Sequence, residues 1–326
     1  MSEEFNTEEL GDYLQAQTTA DRFSGAVLIA KQGKPIFKEA YGLASKRFNV
    51  PNRIDTKFNI GSINKIFTKI AITQLVEKGK LDFENLVGKF LPDFPSDIAN
   101  KVTINHLLTF TSGMGHYWNE RFEASISKLR TVDDFIQLFI DDPLSFEPGE
   151  KRQYSNSGYV VLGKIIEVVS GKDYYDYVRE NIYKPAGMIN SDHYELDKPV
   201  PNLAIGYTKD EHSSPDGTLR NNTFLIGIKG SPAGGGYSTV EDMLKFDIAL
   251  HNNQLLTPEY TRTIFPVRNN TEEKRPPSIN IAGGADGISA FFGKFYDLNY
   301  TVIVLSNYDP PLIEPVFKKI KTMILE

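Results

Sequence analysis

Two kinds of hydrophobic patterning divide the chain. Near the start, Leu10, Tyr13 and Leu14 fall on one face of a helical repeat, which predicts a short amphipathic helix over Thr7–Gln17. The run FSGAVLIAKQGKPIFKEAYG, Phe23 to Gly42, holds two β-rich segments around Gln32-Gly33 and predicts a hairpin. The far end has the same form: Ile288–Tyr296 and Tyr300–Ser306 flank Asp297-Leu298-Asn299, and a helix is expected over Pro315–Leu325. Between them lies a helix-rich middle whose clearest helices are Ser62–Lys78, Ser157–Val169 and Tyr174–Ile182, each closed by Gly or Pro nearby. Strands at both ends around a helical middle predict an α+β fold. One antiparallel sheet would come from residues 1–60 and 251–326, flanked by helices, with a mainly helical subdomain at 61–250 and a cleft between them. Lys209–Asn222 and Arg268–Ser278 are the most loop-like stretches, and there is no internal repeat.

Composition narrows the chemistry. At 326 residues with 40% hydrophobic positions, the chain fits about two average domains or one composite one. Lys and Arg number 36 against 42 Asp and Glu, a net charge of −6, which argues against nucleic acid as a partner because phosphate neutralisation needs a basic face. With no cysteine there is no disulfide, thiol nucleophile or Cys-bound zinc. No stretch approaches the roughly 18 unbroken apolar residues of a membrane span. The start, MSEEFNTEEL, lacks the basic and then apolar pattern of a leader, so the chain as it stands is expected in the cytoplasm, or secreted or periplasmic if a leader has been removed.

Ser62-Ile63-Asn64-Lys65 is an S-x-x-K tetrapeptide. Residues three apart share a helix face, so Lys65 can bring its amine beside the Ser62 hydroxyl. A serine becomes a good nucleophile only when a neighbour takes its proton. Gly61 permits a tight entry that places Ser62 in the first turn, where free N–H groups favour developing negative charge. The following IFTKIAITQLV is apolar nearly all round and should run through a core. Ser125-Ile126-Ser127-Lys128 matches the same tetrapeptide but sits in the polar segment NERFEASISKLR. Without context, such a tetrapeptide is usually a capping serine and a surface lysine.

Tyr154-Ser155-Asn156 supplies a phenol and an amide two positions apart, on one side of the backbone if the stretch is extended. A neighbouring lysine would favour phenolate and make Tyr154 a general base for Ser62, then an acid to the leaving group. Asn156 could bind a substrate amide. The plainer alternatives are a half-buried aromatic for Tyr154 and a helix N-cap for Asn156. Tyr117-Trp118-Asn119 repeats the pattern, but it precedes the second S-x-x-K instead of following it.

In this order the segments resemble the serine penicillin-recognising superfamily, which includes class C β-lactamases, D-alanyl-D-alanine carboxypeptidases, D-aminopeptidases and family VIII esterases. The resemblance spans nearly the whole chain: FSGAVLIAKQGKPIFKEAYG, FNIGSINKIFTKIAI, KVTINHLLTFTSGMG, FEPGEKRQYSNSGYVVLGKIIEVVSG, YKPAGM, SPAGGGYSTVEDMLKF and TVIVLSNYD. It implies a β-lactamase/transpeptidase-like fold and a serine hydrolase that forms an acyl-enzyme on Ser62 and cleaves an ester or amide of a small-molecule or peptide substrate. Lys65 would be the activating partner, Tyr154 the base and Asn156 the substrate contact, without metal or cofactor. The family's third element, a strand with Lys-Thr-Gly or His-x-Gly, matches Ile281-Ala282-Gly283, so Gly283 and Gly284 would line the substrate site. The N–H groups of Ser62 and Gly284 would form the oxyanion hole. Ile281 stands where the family carries Lys or His, which predicts weakened recognition of carboxylate-bearing peptides and β-lactams, with neutral esters or amides less affected. The stretch from Leu256 to Ile281 also looks shorter than in relatives, which could open the site or displace the strand. The alternative is a non-catalytic relative that binds a peptide or cell-wall fragment. Oligomeric state is not expected to be legible in the sequence.

Other signals carry less. The histidines show no paired metal spacing, and only His116 falls in a loop expected near a cleft. No G-x-S-x-G elbow or phosphate-binding P-loop is present. Ala233-Gly234-Gly235-Gly236 reads as close backbone packing near the cleft, and DYYDYV, Asp173 to Val178, as one core-covering helix face.

Overall fold

The computed structural model describes residues 5–212, 214, 216–264 and 278–326. Helix α1 (Thr7–Thr19) opens the chain, capped by the Asn6 side chain, which accepts from the Glu9 N–H. Strands β1 (Gly25–Lys31) and β2 (Lys34–Tyr41) form the expected hairpin. Gln32 and Gly33 both have positive φ, the conformation that a two-residue hairpin turn requires. Helix α2 (Lys65–Glu77), α3 (Ser157–Ser170), α4 (Tyr174–Val178) and α5 (Val240–His251) mark the middle of the chain. Strands β3 (Ser278–Ala285), β4 (Ile288–Phe295) and β5 (Tyr300–Ser306) follow, and α6 (Pro310–Leu325) ends it.

The two chain ends make one five-stranded sheet in the order β2-β1-β5-β4-β3, every neighbour antiparallel. Every residue of β5 is buried, because both faces of the sheet are covered. Val27, Ile29, Val302 and Val304 pack with Leu10 and Leu14 of α1 and with Val316 and Ile320 of α6. Their alternates Ala26, Leu28, Ile303 and Leu305 join the larger core with Phe67 of α2 and Phe246 of α5. Helix α5 packs on β1 and β5, so the sheet's second face is covered by a helix that ends at residue 251.

Several expectations are refined. Ser62 lies in a 3-10 turn, Gly61–Asn64, with α2 starting at Lys65. The Tyr174–Ile182 helix divides into α4 and a π-helical turn, Arg179–Tyr183. The last helix begins five residues earlier than expected, because Pro310 and Pro311 occupy its first turn, where no N–H partner is needed. Within Lys209–Asn222 a short ladder pairs Arg220–Asn221 with Tyr207–Thr208. Of Arg268–Ser278, residues 268–277 lie outside the described residues, and Ser278 begins β3.

Candidate active site

Ser62 is set by a close approach between backbones. Gly61 has φ +51°, and a Cβ on it would stand 2.8 Å from the Gly284 nitrogen. A Cβ on Gly283 would stand 2.7 Å from the Ser62 nitrogen. Only glycine at both positions lets β3 lie against the turn that carries Ser62. The short Leu256–Ile281 segment therefore does not displace the strand. Ile281 shares the Gly283 face, pairs with Phe292 in the ladder and packs against the larger core. The run Ala233–Gly236 closes the other side as close packing: a Cβ on Gly234 would lie 3.3 Å from the Gly61 oxygen, and one on Gly236 2.5 Å from Asn64 Oδ1.

Helix α2 is buried at ten of its thirteen positions and holds Lys65 rigidly beneath Ser62. Lys65 Nζ lies 3.3 Å from Ser62 Oγ and donates to Asn156 Oδ1 at 2.7 Å and to the Ala233 carbonyl. These partners are all neutral oxygens, and Lys65 is 7% exposed. Burial without a carboxylate pushes its amine down to about 7. The Tyr154 hydroxyl donates to Ser62 Oγ at 2.7 Å. The side chain is partly exposed, while burial of the rest raises the phenol above its ordinary value, against the opposing pull of the Ser62 hydrogen bond. This direction runs against the expected easing of Tyr154 ionisation by lysine. Lys65 Nζ sits over the Tyr154 ring, 4.8 Å from its centroid, and its hydrogen bonds go elsewhere.

Asn156 takes the N-cap position of α3, yet its side chain makes no capping bond and serves Lys65 instead. The loop Phe110–Gly115 clamps this second motif. Gln153 N–H donates to the Phe110 carbonyl at 2.9 Å, and Ser155 Oγ donates to the Gly115 carbonyl at 2.8 Å. The Phe110 ring lies 4.9 Å from that of Tyr154 and stacks on Tyr159 at 5.3 Å. The His116 ring is 5.9 Å from Tyr154, and burial and the Lys65 charge lower its pKa. Ser62, Lys65, Tyr154 and Asn156 thus converge, with the Gly283–Gly284 peptide beside the Ser62 nitrogen.

The Beta-lactamase family model matches residues 11–315. The chain belongs to the beta-lactamase family. Penicillin-binding protein 4* of Bacillus subtilis (strain 168) is 33% identical over 313 residues, covering 88% of this chain and 68% of that one. A penicillin binding protein of Bacillus halodurans has a similar structure, with TM-score 0.83 and 31% identity over 94% of this chain and 99% of that one. The D-amino acid amidase of Ochrobactrum anthropi SV3 shares the fold, with TM-score 0.74 and 22% identity over 97% of each chain.

In this β-lactamase-family chain, a cavity of about 610 Å³ opens from Ser62, Asn156 and Gly284. Both segments that repeat the Tyr-x-Asn and Ser-x-x-Lys patterns contribute to its lining. Tyr117, Trp118 and Asn119 line it, and so does Ile126 from the second S-x-x-K. Ile126 is fixed there because its carbonyl accepts from the Ile228 N–H at 2.8 Å. His212, which carried no sequence signal, also lines the cavity. His193, by contrast, is fully enclosed beside Tyr174 and Tyr175, away from Ser62's partners. Among the described residues, no group of three or more His, Cys, Asp or Glu could hold a metal ion, and no helix is long and apolar enough to cross a membrane.

Proposed function

We propose that Ser62 carries the acyl group in a two-step hydrolysis of an ester or amide. The chain is a serine hydrolase of the beta-lactamase family. The observation that carries the reading is the shell of Lys65: one hydroxyl and two carbonyl oxygens. A neutral amine has two N–H donors and one lone pair. Asn156 Oδ1 and the Ala233 carbonyl take the donors, which leaves the lone pair for the Ser62 proton. With its pKa pushed down to about 7, Lys65 has that neutral form within reach at neutral pH.

Ser62 Oγ then attacks the substrate carbonyl carbon while its proton passes to Lys65 Nζ. The oxyanion faces the N–H groups of Ser62 and Gly284, backbone donors that Ile281 leaves in place. Tyr154, held as a protonated phenol, supplies a proton to the leaving group as the tetrahedral species collapses, leaving a phenolate that later takes the proton of water while Lys65 returns its own to Ser62 Oγ. Water enters by the same route in reverse, releasing the acid and free Ser62. This division makes Lys65 the base and Tyr154 the acid, a revision of the roles that the resemblance implies. Ser62→Ala should abolish turnover of simple esters while leaving the fold intact. Unchanged hydrolysis by that variant would overturn the assignment, and ligand binding without turnover by the natural chain would favour the non-catalytic reading.

A further inference from the structure

We infer that the cavity wall facing Ser62 is an apolar, aromatic-lined subsite that selects substrates by an uncharged hydrophobic group. This inference rests on the hydrolase reading and names its substrate class. The wall carries Trp118, Phe122, Ile126, Leu196, Phe224 and Leu225, contributed by segments distant in sequence. Phe224 is 81% exposed and Trp118 54%, although both are large apolar side chains at the border of a cavity continuous with the nucleophile. Trp118 stacks on Phe122 with ring centroids 6.4 Å apart, and both line the cavity. Leaving such surface in water has an energetic cost that a bound apolar group would relieve.

Charge points the same way. Lys229 is the only lysine or arginine among the described lining residues. Its ammonium is already held, 3.8 Å from the Tyr175 ring centroid and 3.8 Å from the Glu195 carboxylate. Glu123 and Asp286 also line the cavity. Ile281 offers no cation from β3. A substrate carboxylate would therefore lose its hydration without gaining an unengaged lysine or arginine among these residues. An aryl or alkyl group gains contact with the wall.

Trp118 is the sole tryptophan of the chain, so its emission reports on this wall alone. The test uses the Ser62→Ala chain, which holds an ester without consuming it, titrated with methyl phenylacetate and with monomethyl succinate. The first should shift Trp118 emission saturably, and the second should leave it unmoved at the same concentration. Phe224→Ala in that background should weaken the first response about fivefold. Phe224→Leu should recover most of it, because bulk rather than aromaticity supplies the contact. In the natural chain, kcat/KM for 4-nitrophenyl esters should rise about tenfold from acetate to butyrate. Comparing methyl hexanoate with hexyl acetate shows whether the acyl or the alcohol side occupies the wall. No response to methyl phenylacetate, or an equal response to both esters, would overturn the subsite. Emission that responds as expected in a chain without turnover would sustain the subsite and defeat the hydrolase reading. Turnover that is flat with chain length and unaffected by Phe224→Ala would do the reverse.

Discussion

Two buried charges in this molecule are handled in opposite ways. Asp247 of α5, 1% exposed, receives Lys294 Nζ at 2.8 Å and Thr301 Oγ1 at 2.7 Å, and His251 Nδ1 lies 2.9 Å from it. Burial alone would raise its carboxyl, but these partners hold it below the ordinary range. Lys65 has comparable burial and only neutral oxygens around it, so desolvation prevails. One cluster ties a helix to the sheet with its charge paired to a lysine. The other keeps an amine poised between two protonation states beside a hydroxyl. What compensates burial, more than burial itself, separates a structural charge from a reactive one.

The comparison breaks most decisively through Lys65. Lys65→Arg retains a cation that cannot give up its proton, and Lys65→Met removes the amine; each should cut kcat/KM about a thousandfold or more. Lys65→Met should leave urea stability unchanged or higher, because an uncompensated buried amine is gone. Asp247→Ala should do the opposite: stability falls by about 3–5 kcal/mol through the stranded Lys294, while turnover per folded molecule survives. Tyr154→Phe removes the proposed acid but keeps the ring contact with Phe110, and about a hundredfold loss in kcat is expected.

The pH dependence of stability separates the two charges further. Lys65 has a native pKa near 7 against 10.5 for an ordinary lysine. Between those values the unfolded chain binds the extra proton, so this group makes stability rise with pH, and its full penalty applies below about 7. Asp247 is lowered, so its contribution is present above the ordinary carboxylate range and is lost as pH falls through its native value. Urea midpoints of Lys65→Met and Asp247→Asn against the natural chain should therefore diverge at opposite ends of the pH scale. The smallest effect is expected from Ile281→His. A cation at the Gly283 face should raise turnover of carboxylate-bearing esters about threefold, and no change in a folded variant would mean that this face does not reach the substrate.

Much of this was legible in the chain. The terminal hairpins follow from their β-rich runs and turn residues, and the all-round apolar pattern of IFTKIAITQLV reports a helix that crosses the core. The spacing of Ser62 and Lys65 places them together because a helical turn fixes it locally. The proposed protonation roles are not legible in the chain, since they depend on the Ala233 carbonyl and the Asn156 amide, which are distant in sequence from Lys65. The cavity wall is not legible in the chain for a related reason. NERFEASISKLR looks polar along the chain, yet its Phe122 and Ile126 line the cavity, and Ile126 is held by a backbone bond to the distant Ile228. Motif imitation at Tyr117–Asn119 and Ser125–Lys128 marked residues of the cleft without marking their role.

The most direct measurement is the rate at which a fluorophosphonate adds to the protein as a function of pH, followed by intact mass. One adduct per chain is expected, absent in Ser62→Ala, forming at a rate that rises to a plateau with a midpoint near 7 as Lys65 loses its proton. An adduct that persists in Ser62→Ala, or a rate that climbs only toward about 10, where an ordinary lysine or tyrosine ionises, would contradict the account.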